Sequence, residues 1–579
     1  MNKSTSPQIL SYIPYSILFP NTTPSLNYLH TRLKDFDFTK IILVLSKLNL
    51  LLSERRLAMD LSFQVDLCNN FIHPYIKNRL FKKMDEFSLV FNRHQLLLLL
   101  KKSFLQCSSL PKTDFQITRV RYKLGTCCLL ANDFLSLFKV EEEKLNNLGI
   151  DEKKEYLRLE LLPTFELYNP PELMFEIART RLIFKTIFPQ LRCSSLFIDI
   201  DKKFQDFTGL SLDDYMFLIS AIFALYRDRR KDIRSDPNAI LIEEKDFTRT
   251  MHISSEKLNK LFELISLPIE QYKNEILSSK DINLNYGFLT FKKYPLVRIS
   301  DNKYICLDLY FLHDKISNGI FWLINDNLKE NERSKFHAFW GCIFESYIRL
   351  FFEKIYTKKE HIFIPNPPYD NIEGEVADGI LDYGEDLILL EYKFTVLPQE
   401  AKYINSESQL TKEIRLKFEK NQKDEWKGYG QLANSINKLF TKEGNVTCKY
   451  ICKEKIKRVF PVLIVYEHFF NAPLINYYFY KNFQKLINKS SIIEHIEIKP
   501  LVVLTIEDFE KSQPFLKKMQ NLILERYKFD PNFNNSFSDF LIKKYQEDSS
   551  LSPELIRNEY RKYSEEVKEV LFVSRQKIR

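Results

Sequence analysis

Glycine is scarce in this chain: 12 of 579 residues, about 2% where roughly 7% is usual. Cradling a nucleotide phosphate in a backbone loop needs glycine, and no G-x-x-x-x-G-K-[ST] string occurs, which excludes a P-loop ATPase or GTPase. The nine cysteines, at 68, 107, 127, 128, 193, 306, 342, 448 and 452, are odd in number and sparse. That excludes a disulfide framework and suits a reducing compartment. Cys448-x-x-x-Cys452 has no second pair at zinc spacing, so these read as incidental thiols. The nine histidines form no H-x-x-x-H or H-E-x-x-H, and there is no G-x-S-x-G elbow, which argues against a zinc hydrolase and an α/β-hydrolase. Long hydrophobic runs are missing too. The longest, Tyr215 to Tyr226, is broken by Ser220 and falls short of the roughly 20 residues of a membrane span, so it reads as a buried core helix. Met1–Pro20 carries one lysine and no apolar h-region. The expectation is a cytoplasmic protein with no membrane partner.

What is present is ample apolar material: 45% hydrophobic and 14% aromatic residues, enough for several packed cores. Residues 27–330 read as mainly helical, with apolar clusters at Ile41–Leu52, Leu96–Leu100 and Met216–Leu225. Strand-like relief comes at Phe288–Phe291, Leu296–Ile299 and Tyr304–Asp308. The charged stretch Glu141–Glu160 could join two helical subdomains, and Ile253–Leu258 is a weak candidate for a helix-turn-helix. After 330 the texture changes. Seven of the twelve glycines fall between 341 and 444, and the pattern predicts helix 332–356, strands 361–365, 375–382 and 386–394, helices 407–420 and 424–440, then strands 459–466 and 496–505. The expected fold class is α+β and multi-domain. A mainly helical region (1–330) precedes an α/β domain with a mixed central sheet and flanking helices (331–510) and a helical extension (511–579). In that extension, Pro553–Arg579 reads as a charged helix with a solvated face or an oligomer contact.

The informative segment is Glu375-Val-Ala-Asp378-Gly-Ile-Leu-Asp-Tyr-Gly384-Glu385-Asp-Leu-Ile-Leu-Leu-Glu391-Tyr-Lys393. Two apolar strands flank a turn-like Tyr383-Gly384-Glu385-Asp386. Centring the hairpin between 384 and 385 sets Asp378 across from Glu391, with Lys393 on the same face as Glu391. Two carboxylates converging on one face call for a cation, and hard oxygen donors suit Mg²⁺. E-x-K recurs elsewhere, at 142–144, 152–154, 243–245 and 497–499. Only at 391–393 does a hairpin deliver an aspartate opposite. The bland alternative is a hairpin whose charges simply face water.

With these residues in place, the segment resembles the PD-(D/E)XK nuclease superfamily, the restriction-endonuclease-like fold. Phe336-His-Ala-Phe-Trp-Gly341-Cys-Ile-Phe-Glu345 is similar to the acidic helix that precedes the family's metal-binding strands. Gly341, one turn before Glu345, is expected to let that helix pack closely on the sheet. Lys427-Gly-Tyr-Gly430-Gln431 is similar to the family's later glutamine-bearing helix, and Ala377 stands where the family often has proline. The resemblance implies Mg²⁺ (or Mn²⁺) on Asp378 and Glu391 with Glu345 assisting. It implies Lys393 positioning or activating water, and Gln431 orienting water, Lys393 or phosphate. It further implies a nuclease acting on nucleic acid, with DNA the expected substrate. Prokaryotic restriction or antiphage defence is the setting, with a homo-oligomer or a defence-system subunit as partner. The alternatives are a nucleic-acid-binding protein with an inactive nuclease fold, or a regulatory sensor whose nuclease waits for a trigger.

Charge is consistent with this. Residues 371–400 carry net −7 and residues 401–490 net +9. Lys412, Arg415, Lys417, Lys420, Lys453, Lys455, Lys457 and Arg458 are thus offered to phosphates, since backbone contacts dominate nucleic-acid affinity.

Overall fold

The computed structural model describes residues 11–576 except 54–57, 86–87, 108–116, 136–148, 150–151, 155–166, 168–169, 230–231, 234–235, 249–252, 283–284, 357–361, 399–400, 403–406, 443, 473 and 549. The protein is mixed α/β and predominantly helical. It forms two compact units, one of Met1–Lys144, Asp199–Asn327 and Ser564–Arg579, the other of Leu145–Ile198 and Leu328–Tyr563. The second unit therefore takes in 145–198, which the sequence pattern grouped with the N-terminal half, and most of the C-terminal extension. The joint expected at 141–160 lies almost wholly outside the described residues.

In the first unit the leucine run becomes the helix Arg93–Gln106, opened by an Asn92/Gln95 capping box and buried on nearly every side. The five successive leucines, 96–100, pass more than once round the helix and so turn an apolar surface to every side, which suits the inside of a core. Arg93 enters with it and is matched there. Its guanidinium makes two hydrogen bonds to Asp308, at 2.7 and 2.8 Å, and Asn49 Nδ2 donates to the same carboxylate at 2.9 Å. The expected strands at 296 and 304 form as Leu296–Ser300 and Lys303–Cys306 within a four-stranded sheet. Phe288–Phe291 does not: Leu289–Lys293 is a short helix that buries Thr290 and Phe291. Four apolar residues satisfy one helical turn as well as a strand, so burial in the surrounding core decides. Ser254 precedes the helix Ser255–Ile265, which runs directly into the strand Ser266–Pro268; the segment ahead of it, 249–252, is not among the described residues. Tyr215–Tyr226 lies inside the helix Leu212–Asp228, much of it buried. Among the described residues no single helix is long and apolar enough to cross a membrane.

The second unit is built on a sheet whose strands come in the order β1 Phe363–Pro365, β2 Gly379–Asp382, β3 Asp386–Lys393, β4 Arg458–Val465, with β5 Glu497–Ile498 and β6 Val502–Thr505 both pairing with β4. The first three strands are antiparallel and the rest parallel. Seven of the eight residues of β3 are buried, as a central strand covered on both faces must be. Helices α1 Leu173–Arg181, α2 Glu330–Ile355, α3 Glu407–Phe418, α4 Tyr429–Leu439, α5 Ile475–Leu486 and α6 Ile506–Lys511 belong to this unit, followed by Met519–Phe529, Phe537–Glu547 and the start of Glu554–Gln576. Leu387, Leu389, Val459 and Leu463 pack with Ile414, Leu432, Ile436 and Phe479 from α3, α4 and α5. Opposite lies α2, whose Phe344, Phe351 and Phe352 meet Phe394, Tyr466, Phe509 and Phe363.

One buried knot ties α1, α2 and α6 together. The Arg179 guanidinium grips Glu510 with two hydrogen bonds, at 2.7 and 2.8 Å, and the Tyr347 hydroxyl donates to the same carboxylate at 2.7 Å. Glu510 is 0% exposed, so removing one partner strands a charge away from water. Glu510→Ala or Arg179→Met should each cost about 3–5 kcal/mol, read from denaturant unfolding. An apolar pair at both positions should recover most of that loss, and a single-variant cost near zero would show the knot to be dispensable.

Candidate functional site

The hairpin register is as the sequence implies. Gly379 pairs with Leu390 and Ile380 with Leu389, so the ladder continued by one step sets Asp378 opposite Glu391. The turn closes with Tyr383 N–H donating to the Asp386 carbonyl at 2.9 Å, and Gly384 sits at φ +87°, where a side chain would be strained. β4 runs parallel to β3 with Val465 beside Lys393 and Arg458 beside Asp386. Asp378, Glu391 and Lys393 thus stand where parallel β3 and β4 end at their carboxyl termini, the place where α/β sheets open a crevice.

Each group is held by its own element. Asp378 accepts Tyr392 N–H at 2.6 Å, and its carbonyl accepts Asn366 N–H. Asn366 has a left-handed φ of +44°, a conformation asparagine tolerates better than most residues. Glu391 is 1% exposed. Lys393 Nζ lies 2.7 Å from its Oε1 and is its charge partner. Glu345 on α2 faces Arg349 one turn on, at 3.5 Å, and Arg349 Nη2 also reaches Asn366 Oδ1 at 2.5 Å.

Burial and mutual repulsion dominate the electrostatics. Burial, then the Asp378 charge, raises Glu391 to about 8 and Glu345 to about 7. Glu375 is raised by the same two causes and Asp378 by burial. Lys393 is raised despite burial, by Glu391 first and then Asp378. It is therefore an ammonium at neutral pH, suited to positioning water and stabilising charge rather than to taking a proton.

Sequence reasoning missed Glu375 and Arg349. The signal for Arg349 was its i+4 spacing from Glu345; Glu375 stands three residues before Asp378. Gln431 is placed differently from expectation. Its Oε1 accepts Gly428 N–H at 3.2 Å and caps α4, and among the described residues no hydrogen bond joins it to the carboxylates. The glycines ahead of it serve packing: a Cβ on Gly430 would meet the Glu419 carbonyl at 2.3 Å. Gly341 also departs from expectation. A Cβ there would have nothing within 4 Å, so close packing does not require this glycine, which costs the helix about 0.5–1 kcal/mol relative to alanine.

The basic residues sort by place. Arg458 pairs with Asp386 and Lys457 with Glu385. Seven strand steps of about 3.3 Å put that end of β3 about 23 Å from Lys393. Lys457 and Arg458 are therefore spent on carboxylates at the sheet's opposite end. Arg415 and Lys420 are paired with Glu419 and Asp424.

In donor chemistry the site fits a hard divalent ion: four carboxylates, Glu345, Glu375, Asp378 and Glu391, act on one another, with Arg349 and Lys393 opposing them. As placed, among the described residues, no three His, Cys, Asp or Glu side chains form a ligand cluster. Glu345 is turned to Arg349 and does not join Asp378 and Glu391. The chain matches no family model, no curated protein and no solved structure.

A carboxyl whose folded-state pKa is raised binds protons more tightly when folded. Its penalty is absent below about 4.5, where it is protonated in both states, and grows as pH rises toward about 8. Metal-free Glu391→Gln should therefore melt a few degrees above the parent at pH 8, with the gap closing toward pH 5. A pH-independent gap in the thermal melts would refute the assignment.

Proposed function

We propose that the second unit is a metal-dependent phosphodiesterase of PD-(D/E)XK type that cleaves nucleic acid, with DNA as substrate. The observation that carries this reading is the buried Glu391 in a central strand, opposite Asp378, with the Lys393 ammonium two residues on and 2.7 Å from its carboxylate. A purely structural strand gains nothing from such an arrangement, because burying a carboxylate is costly even when it is paired, and the Asp378 charge adds to that cost.

Asp378 and Glu391 would hold the ion, with Glu345 reaching it directly or through water. A bound Mg²⁺ supplies charge stabilisation at the phosphoryl oxygens and lowers the pKa of water. The chain's own residues do the rest. The Lys393 ammonium donates to the attacking water or to a non-bridging phosphate oxygen, and opposes the negative charge that grows as water adds to phosphorus and the leaving oxygen departs. Glu345, where it reaches the ion only through water, is the carboxylate left to accept the attacking water's proton. Arg349 keeps Glu345 and Asn366 in place beside Asp378.

Purified protein with plasmid DNA and Mg²⁺ or Mn²⁺ should nick or linearise it. Asp378→Asn and Lys393→Ala should each lower the rate by about 10²–10⁴-fold, while Lys457→Ala, at the far end of the sheet, should leave it unchanged. Equal cleavage by all four proteins would overturn the catalytic assignment.

A further inference from the structure

The first unit carries a group of stacked rings and arginines at its surface that the nuclease reading does not use. Tyr15, which opens the short helix Tyr15–Leu18, stacks on Phe19 at its end, with ring centroids 4.6 Å apart and planes at 26°. Phe19 in turn lies at 6.5 Å and 26° to Tyr75 of the helix Pro74–Phe81. The Arg79 guanidinium lies over both of these rings, 4.9 Å from the centre of Phe19 and 5.3 Å from that of Tyr75. Its Nη1 donates to the Leu18 carbonyl at 3.2 Å and its Nη2 to the Tyr75 hydroxyl at 3.1 Å. The pairing is repeated on the helix Leu26–Leu33, where Arg32 lies 4.7 Å from the Tyr28 ring centre and donates to the Tyr28 hydroxyl. Among the described residues neither guanidinium has a carboxylate partner. A cluster that served only to pin two helices together would cover its rings, since aromatic area is a large apolar gain for a core. Tyr75 is instead 61% exposed and Tyr28 40%.

Charge says what would cover these rings. Residues 11–34 and 67–84, which supply all six groups, contain no Asp or Glu and carry Arg32, Lys34, Lys77, Arg79, Lys82 and Lys83. The nearby Asp133 is buried and accepts the N–H groups of Tyr15 and Ser16, at 2.9 and 3.3 Å. Asp35, the first acid after this stretch, is paired with Lys123 at 2.9 Å. Lys82 is exposed and stands three residues after Arg79 and seven after Tyr75, two turns on along the same helix side. We propose that this face of the first unit binds single-stranded nucleic acid, with a base stacked on Tyr75 and the adjoining phosphates meeting Arg79 and Lys82. Every base has a π-face to offer an aromatic ring, and every nucleotide brings a phosphate for the cations. A duplex keeps its base faces hidden, and an acidic peptide would answer the cations while leaving the rings uncovered. The proposal goes beyond the nuclease reading of the second unit and does not depend on it.

The test reads the anisotropy of short fluorescent strands with the full chain in EDTA, so that binding is seen without metal-dependent cleavage. The strands are oligothymidine, oligouridine, a DNA duplex and an abasic DNA strand of the same length. The parent should prefer the single strands to the duplex and to the abasic strand, and the tighter of the DNA and RNA strands names the ligand. Tyr75→Ala should melt as the parent does, weaken single-strand binding about tenfold and leave abasic-strand binding unchanged. Tyr75→Phe, which keeps the ring face, should bind nearly as the parent does. Arg79→Gln and Lys82→Gln should each reduce the slope of log affinity against log salt by about 0.7. Parent-like single-strand binding by both Tyr75→Ala and Arg79→Gln would overturn the proposal, as would equal binding of the abasic strand by the parent. If Tyr75→Ala leaves nucleic-acid binding intact but abolishes self-association in light scattering, the face is a protein interface and the proposal falls. Failure of the wild type to cut DNA with Mg²⁺ or Mn²⁺ would overturn the reading of the second unit alone.

Discussion

A guanidinium sealed from water against a carboxylate and a phenol, Arg179 with Glu510 and Tyr347, sets the geometry on which the second unit depends. These groups come from α1, α6 and α2, and none can leave without stranding another, because desolvated charge is tolerated only when paired. Tyr347 is two residues from Glu345. The contact that locks α2 into the core therefore also sets the rotation of the helix, and so the side it turns outward. Next to the knot, Glu507 is held down to about 2 despite its burial, by Lys511 first and then His468. That end of the unit has its charges matched.

The hairpin end is organised the opposite way. Glu345, Glu375, Asp378 and Glu391 influence one another, and among the described residues Arg349 and Lys393 oppose them. The unit thus holds two polar clusters, one with its charges matched and one, among the described residues, with four carboxylates against two cations. The first stabilises the fold. The second keeps a deficit, which the proposed reading assigns to a divalent ion and a polyanionic substrate. The far end of the sheet is balanced again, by Arg458 with Asp386 and Lys457 with Glu385. The deficit is thus local to the carboxyl ends of β3 and β4.

Much of the site was legible because strand alternation and a four-residue turn leave few registers open. Once Tyr383–Asp386 is read as the turn, Asp378 must face Glu391. The long helix bearing Glu345 and the strand at 459–466 were equally readable, from apolar periodicity over many residues. Short elements were not: Leu289–Lys293 has too few residues for a period to show. Gln431 was misread because a glutamine three residues into a helix answers to two demands, and here the nearby N-cap amide takes its oxygen. Gly341 looked like a packing glycine, since a sequence does not reveal which side of a helix is covered.

The local chemistry was determined by the sequence alone: an acidic hairpin with E-x-K, a helix carrying an acid ahead of it, few glycines and no phosphate loop. These depend on neighbours in the chain and on periods of two and four residues. Only the tertiary structure decided that 145–198 joins the second unit and that Lys457 and Arg458 stand about 23 Å from Lys393. Net charge counts residues wherever they fall, whereas the pairing of parallel strands and the burial of one helix side choose which of those charges can act together.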